Sequence, residues 1–141
     1  MPDRPRVAII GVGLIGGSIG LALRERELAD EVVGVGRRMA SLEKARHLGA
    51  IDRATTNLVE GVAGADWVII ATPVDSIVDT VTAVAAAAPR ATITDAGSTK
   101  QDVIAAARHH LSMQNRHHFV PGHPIAGTEQ SGAQAALADL Y

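Results

Sequence analysis

The sequence predicts an α/β fold: a doubly wound, mostly parallel sheet with helices on both faces. Three observations predict it. Short apolar runs rich in Val and Ile alternate along the chain with longer helical patterns. Those runs lack the in-and-out alternation of a half-exposed strand, as strands covered on both faces do. The first strand-to-helix junction carries glycines in the spacing G-x-G-x-x-G. Right-handed crossovers then wind repeated βα units into one open sheet.

Each element has its own signal. "RVAIIGVG" (6–13) is an apolar β-branched run ended by glycines, a buried strand. Residues 14–28 form a helix, with Ile15, Ile19 and Ala22 or Leu23 at helical spacing and "RERE" at its exposed end. "EVVGVG" (31–36) is the second strand. "ASLEKARHLG" (40–49) is the second helix, with Leu42, Ala45 and Leu48 on one side and Gly49 as C-cap. Residues 51–65 predict an irregular link with a short strand and a helical turn. "DWVIIATP" (66–73) is a strand halted by Pro73, and "DSIVDTVTAVAAAA" (75–88) a helix halted by Pro89. "ATITDAG" (91–97) is a strand, "STKQDVIAAARHHL" (98–111) a helix, and "HFVPGH" (118–123) a last short strand.

Composition narrows the function classes. The chain has 141 residues, the size of one domain, and is 47% hydrophobic, enough for a core. Trp67, Phe119 and Tyr141 are the only aromatic residues, so that core is aliphatic. A formal net charge of -2 argues against a nucleic-acid or acidic-membrane surface. The absence of cysteine excludes disulfides, thiolate metal sites and a cysteine nucleophile. The N-terminus has no signal-peptide pattern, and no run approaches the roughly 18 apolar residues of a membrane span. The cytoplasm is the expected compartment. His47, His109, His110, His117 and His118 lie on helix surfaces, at a helix end or at a strand start, without the convergent spacing a zinc site needs.

In "GVGLIGGS" (11–18), Gly11 allows a tight turn, Gly13 lets the backbone approach a pyrophosphate, and Gly16 lets helix and strand pack closely. Leu14 and Ile15 open the helix whose free N–H groups and dipole favour the anion. This is the fingerprint of a Rossmann-type dinucleotide site. The fingerprint expects an acidic residue about 20 residues after its last glycine, on the ribose 2′-hydroxyl. That position is Gly36, followed by Arg37 and Arg38. Two guanidinium groups without a carboxylate suit a 2′-phosphate, which leans the cofactor toward NADP. The pair alternatively caps a surface strand end, and NAD then stays open.

Ligands in such a sheet sit beyond the carboxyl ends of the strands, so three more loops belong there. Thr72 and Pro73 in "ATPVDS" either line the nicotinamide side or simply end a strand. Trp67, in the same strand, is expected near that side. Ser98 is a helix N-cap with Gln101 three residues on, as in a capping box, and its hydroxyl can also face a ligand. "VPGHPIAGTEQSG" (120–132) brings His123 to the same rim in a stiff Gly-His-Pro turn.

Taken in order, "VAIIGVGLIGGSIGLAL", "ATPV", "TDAGSTK" and "GHPIAGTEQSG" resemble the prephenate/arogenate dehydrogenases of tyrosine biosynthesis, over nearly the whole chain. The glycine loop is shared with many dehydrogenases; the last two segments together are far more specific. The resemblance implies NAD(P)-dependent oxidative decarboxylation of a cyclohexadienol, prephenate or arogenate. It implies that His123 bonds the substrate hydroxyl and accepts its proton, that Ser98 holds the same hydroxyl and the nicotinamide, and that Thr128 and Glu129 lie near the substrate. An imidazole suits that base role at neutral pH, and a rigid turn holds it in reach. The resemblance also implies a helical C-terminal domain that forms a homodimer and supplies cations for the substrate carboxylates. Residues 1–141 are expected to be the nucleotide-binding domain without that partner domain, and inactive alone. No metal is expected. Two other functions stand beside this one: a dinucleotide-binding module without turnover, and a reductase of another small acid or imine.

Overall fold

The computed structural model describes residues 3–97, 100–111, 118–122 and 132–140. Its strands are β1 (Arg6–Ile10), β2 (Glu31–Val35), β3 (Arg53–Thr55), β4 (Trp67–Ile70), β5 (Thr92–Asp95) and β6 (Phe119–Val120). Its helices are α1 (Leu14–Glu25), α2 (Met39–His47), α3 (Leu58–Val62), α4 (Val74–Ala87) and α5 (Lys100–His110), with a 3-10 turn at Ala133–Ala135. The strands form one sheet in the order β3-β2-β1-β4-β5-β6, with every pair parallel. The order reverses between β1 and β4, as in a doubly wound dinucleotide-binding sheet. The expected architecture is therefore present, and residues 51–65 form the predicted short strand and helical turn.

Two aliphatic clusters fill the two faces. One joins Ile70, Val68 and Ile93 of the sheet to Ile77, Val81 and Val84 of α4 and Val103 of α5. The other joins Val7, Ile9 and Val32 to Ala45 and Ile51, with Ala133 from near the end of the chain. Each fully buried Val or Ile stabilises the fold by roughly 1.5–3 kcal/mol. Among the described residues, no helix is long and apolar enough to cross a membrane.

Three expectations need correction. The buried face of α1 is Gly16, Gly17, Ser18 and Gly20, not the stripe through Ile15, Ile19 and Ala22 or Leu23. A Cβ at Gly20 would collide with the Ala50 carbonyl, so the helix approaches too closely for side chains between them. Ile19 and Leu23 pack beside that face, partly buried. On α2, Leu42 and Ala45 are buried as predicted, but Leu48 is 50% exposed, because the helix has already ended at His47. Gly49 follows with φ +86, the left-handed conformation that suits glycine after a helix. Trp67 begins β4 and pairs with Val7 and Thr92, so it lies at the opposite end of the sheet from the ligand edge.

Candidate functional site

A cleft of about 690 Å3 opens at the carboxyl edge of the sheet, over the reversal between β1 and β4. Clefts of this size accommodate cofactor-sized ligands. Gly11 leaves β1 with φ +89, and its N–H donates to the Val35 carbonyl at 2.9 Å. A Cβ there would lie 2.7 Å from the Ala71 carbonyl, so the turns after β1 and β4 meet with no room for a side chain. Gly16 sits beneath this turn, where a Cβ would overlap the Gly11 carbonyl. Gly13 is different: a Cβ there would meet nothing within 4 Å. It is the N-cap of α1 and offers no side-chain cap, and the first turn holds no acidic residue. The first-turn N–H groups are thus open to an anionic ligand.

The structure brings Gly11, Gly13, Gly36, Arg37, Arg38, Thr72 and Pro73 to this one cleft. Leu14, Ile15 and Gly16 do not line it; Gly16 acts from beneath, and the other two lie on α1 directly after Gly13. At the β2 end, Ser41 and Lys44 join Arg37 and Arg38. Among the described residues, no carboxylate comes within ion-pair distance of Arg37, Arg38 or Lys44. Cations without a carboxylate among the described residues, lining one cleft with open helix N–H groups, make the cleft suited to phosphate. At the β4 end, the Thr72 hydroxyl oxygen is buried with no hydrogen-bond partner among the described residues. A buried polar atom without a partner is uncommon, and one beside a cleft is open to a hydrogen bond from a ligand. The residues present therefore fit a dinucleotide.

Ser98, His123, Thr128 and Glu129 lie outside the described residues. Their approaches are described. The carboxylate of Asp95, 3% exposed at the end of β5, accepts from the Gly97 N–H at 2.9 Å through one oxygen. Its other oxygen accepts from the Gly122 N–H at 3.2 Å. Gly97 precedes Ser98 and Gly122 precedes His123. One buried carboxylate thus joins the two backbone turns from which those segments depart. Sequence reading passed over Asp95, although an Asp two residues before a glycine at a strand end is an Asx-turn signal. It also passed over Ser41 and Lys44, which follow Arg38 at intervals of three and reach the cleft together on α2. Among the described residues, no group of three or more His, Asp or Glu could hold a metal.

The opposite rim of the sheet carries a separate charge cluster. Glu31 accepts from Arg6 Nη2 at 2.6 Å and from Arg53 Nε at 3.1 Å. The hydrogen bond from Arg6, with that from Arg53, holds the Glu31 carboxyl below its ordinary value despite some desolvation. This cluster ties β1, β2 and β3 together and is remote from the cleft.

Comparison with known proteins agrees with this geometry. A family model described as prephenate dehydrogenase, nucleotide-binding domain, matches residues 19–141. The match begins after the glycine loop, so it rests on the later segments. The prephenate dehydrogenase of Bacillus subtilis is 37% identical over 137 residues, 96% of this chain and 36% of that protein. The A. aeolicus prephenate dehydrogenase, solved with hydroxyphenyl propionate and NAD+, matches with TM-score 0.86 and 33% identity, over 99% of this chain and 48% of that one. The Synechocystis arogenate dehydrogenase matches with TM-score 0.84 and 30% identity, over 96% and 46%. The chain spans half or less of the length of each of these relatives.

Proposed function

This chain belongs to the family of prephenate dehydrogenase nucleotide-binding domains, and on that premise we propose that it is the NAD(P)-binding part of a prephenate or arogenate dehydrogenase. The observation that carries the reading is the cleft itself. It combines a helix start at Gly13 without a side-chain cap with the Thr72 hydroxyl and the cations Arg37, Arg38 and Lys44, none of them paired among the described residues.

The bound nicotinamide supplies the hydride acceptor. The chain's own residues bind, orient and move the proton. As hydride leaves the carbinol carbon of the cyclohexadienol, its hydroxyl becomes strongly acidic, and His123 accepts that proton. The ring carboxylate departs as CO2 and the ring becomes aromatic. Ser98 holds the same hydroxyl, and Thr128 and Glu129 border the substrate. A base held in advance within hydrogen-bond reach of the hydroxyl lowers the barrier. A helical C-terminal domain that completes the substrate site and forms a homodimer belongs to the same reading, as does the cytoplasm as its compartment.

NADP is the favoured cofactor. Support comes from the Arg37–Arg38 pair where a carboxylate would select NAD, and from Ser41 and Lys44 beside it. Calorimetric titration of the chain with NADP+ and NAD+ tests this. NADP+ binds tighter, and Arg37→Ala removes about tenfold of the difference, the scale of one charge-assisted contact. Equal binding of both overturns the phosphate reading; binding of neither overturns the nucleotide reading. In an enzyme with the helical C-terminal domain restored, His123→Asn lowers prephenate-dependent turnover by about 10²–10⁴-fold while leaving NADP+ affinity unchanged.

A further inference from the structure

Residues far along the chain return to the cleft. Gly132, Ala133 and Gln134 line it together with Arg38, Ser41 and Lys44. The return is built into α1. Ser18 is fully buried, and its hydroxyl oxygen accepts from the Leu137 N–H at 2.9 Å across 119 residues of sequence. Beside it, a Cβ at Gly17 would press on Ala136 Cβ at 3.0 Å and lie 3.6 Å from Ala133 Cα. The glycine face of α1 thus receives this segment as well as the sheet. The 3-10 turn packs on α1 and α2 together, with Ala133 and Ala135 buried and Gln134 exposed. Gly132 has φ +83, and a Cβ there would lie 2.7 Å from both the Nε2 and Oε1 of Gln134. The carboxamide is therefore folded back over Gly132 at the edge of the cleft.

We propose that residues 132–137 form a strap closing the adenosine end of the nucleotide site, with the Gln134 carboxamide as a polar contact to the adenosine moiety. This rests on the nucleotide-binding reading above. The end of β2 is where a dinucleotide-binding sheet holds the adenosine ribose, and the strap shares its wall with the residues that follow β2. A carboxamide presents two N–H donors and an acceptor oxygen, which match either an adenine edge or ribose hydroxyls. Ser18 acts as a positioning residue: it touches the strap and not the ligand.

The test uses the full chain, its Gln134→Ala variant and four probes: NADP+, NAD+, 5′-AMP and nicotinamide mononucleotide. Gln134 is exposed, so its removal leaves the melting temperature unchanged. Gln134→Ala weakens NADP+, NAD+ and 5′-AMP by about fivefold, the scale of one hydrogen bond, and leaves nicotinamide mononucleotide unchanged. Ser18→Ala weakens the same three probes and speeds amide exchange at Leu137. If Gln134→Ala binds every probe like the unmodified chain, or weakens only the mononucleotide, the strap assignment is overturned while the nucleotide reading stands. If neither dinucleotide binds the unmodified chain, the nucleotide reading fails and the strap falls with it.

Discussion

The two halves of the sheet are built differently. In β1 and β2 every residue after the first is buried, since both faces are covered. In β4 and β5 burial alternates: Val68, Ile70, Ile93 and Asp95 are buried, while Ile69, Thr92 and Thr94 are partly open and Trp67 is 45% exposed. In β6, Phe119 is buried and Val120 exposed. Helices α4 and α5 pack on one face of this half, and the described residues leave the other partly open. The difference separates two tasks. The first half supplies the glycine turn, the start of α1 and the cations after β2 that line the cleft. The second half ends in the segments that carry Ser98 and His123, and the Asp95 carboxylate at the end of β5 joins the two glycines before them.

Five substitutions break or sharpen this contrast. The largest effect is expected from Gly16→Ala. Its Cβ would overlap the Gly11 carbonyl, so backbone must move. A loss of about 3 kcal/mol in denaturant unfolding is expected, with nucleotide binding lost. Gly13→Ala is the paired control, because its Cβ enters open space. It keeps the stability of the unmodified chain and weakens the nucleotide; equal destabilisation by both variants would contradict the packing argument.

Asp95→Asn comes next. An amide has one acceptor oxygen where the carboxylate serves both Gly97 and Gly122. One N–H is then left facing a donor, a cost of about 1–3 kcal/mol. Amide exchange should quicken at Gly97 or Gly122 and stay slow in β1 and β2. Uniform quickening across the sheet would erase the distinction between the halves.

Glu31→Gln has a smaller effect, and it depends on pH. The Glu31 carboxyl is held below its ordinary value by the hydrogen bond from Arg6 and then that from Arg53. A carboxyl depressed in the folded state contributes stability that is full above its unfolded value, about 4.3. That contribution is lost as pH falls through the lower folded value. The variant is therefore slightly less stable than the unmodified chain near neutrality and equal to it at strongly acid pH. A gap that widens on acidification would reverse the sign and refute the assignment.

Trp67→Thr has the smallest effect. The ring is half exposed on the partly open face, so unfolding free energy changes by less than about 0.5 kcal/mol. Because Trp67 sits at the far end of β4, its fluorescence stays constant as NADP+ binds. A strong fluorescence change on binding would place the ligand elsewhere.

Much of this was legible in residue order. The β1 run, the glycine spacing and Pro73 and Pro89 mark their elements through local rules: period, turn geometry and a missing N–H. The place of Arg37 and Arg38 at the cleft was legible because the distance from the glycine loop to the end of β2 is set by one βα unit. The face of α1 was not. Hydropathy pointed to Ile15 and Ile19, yet contact distance decided for Gly16, Gly17, Ser18 and Gly20, because a helix lying against a carbonyl leaves no space for a methyl group. Trp67 was misplaced for a related reason: membership of a strand does not say which end faces the ligand until the strands are in register.

By itself the sequence determined the α/β class, the dinucleotide loop and the family, since each is written in contiguous segments whose meaning is local. Only the tertiary structure decided that Asp95 ties Gly97 to Gly122 and that Ser18 holds Leu137. It also decided that Gln134 lines the same cleft as Arg38. The long-range contacts among these, Asp95 to Gly122 and Ser18 to Leu137, span 27 and 119 residues of chain. No local propensity encodes them; they exist only because sheet order and crossover handedness bring distant segments to one edge.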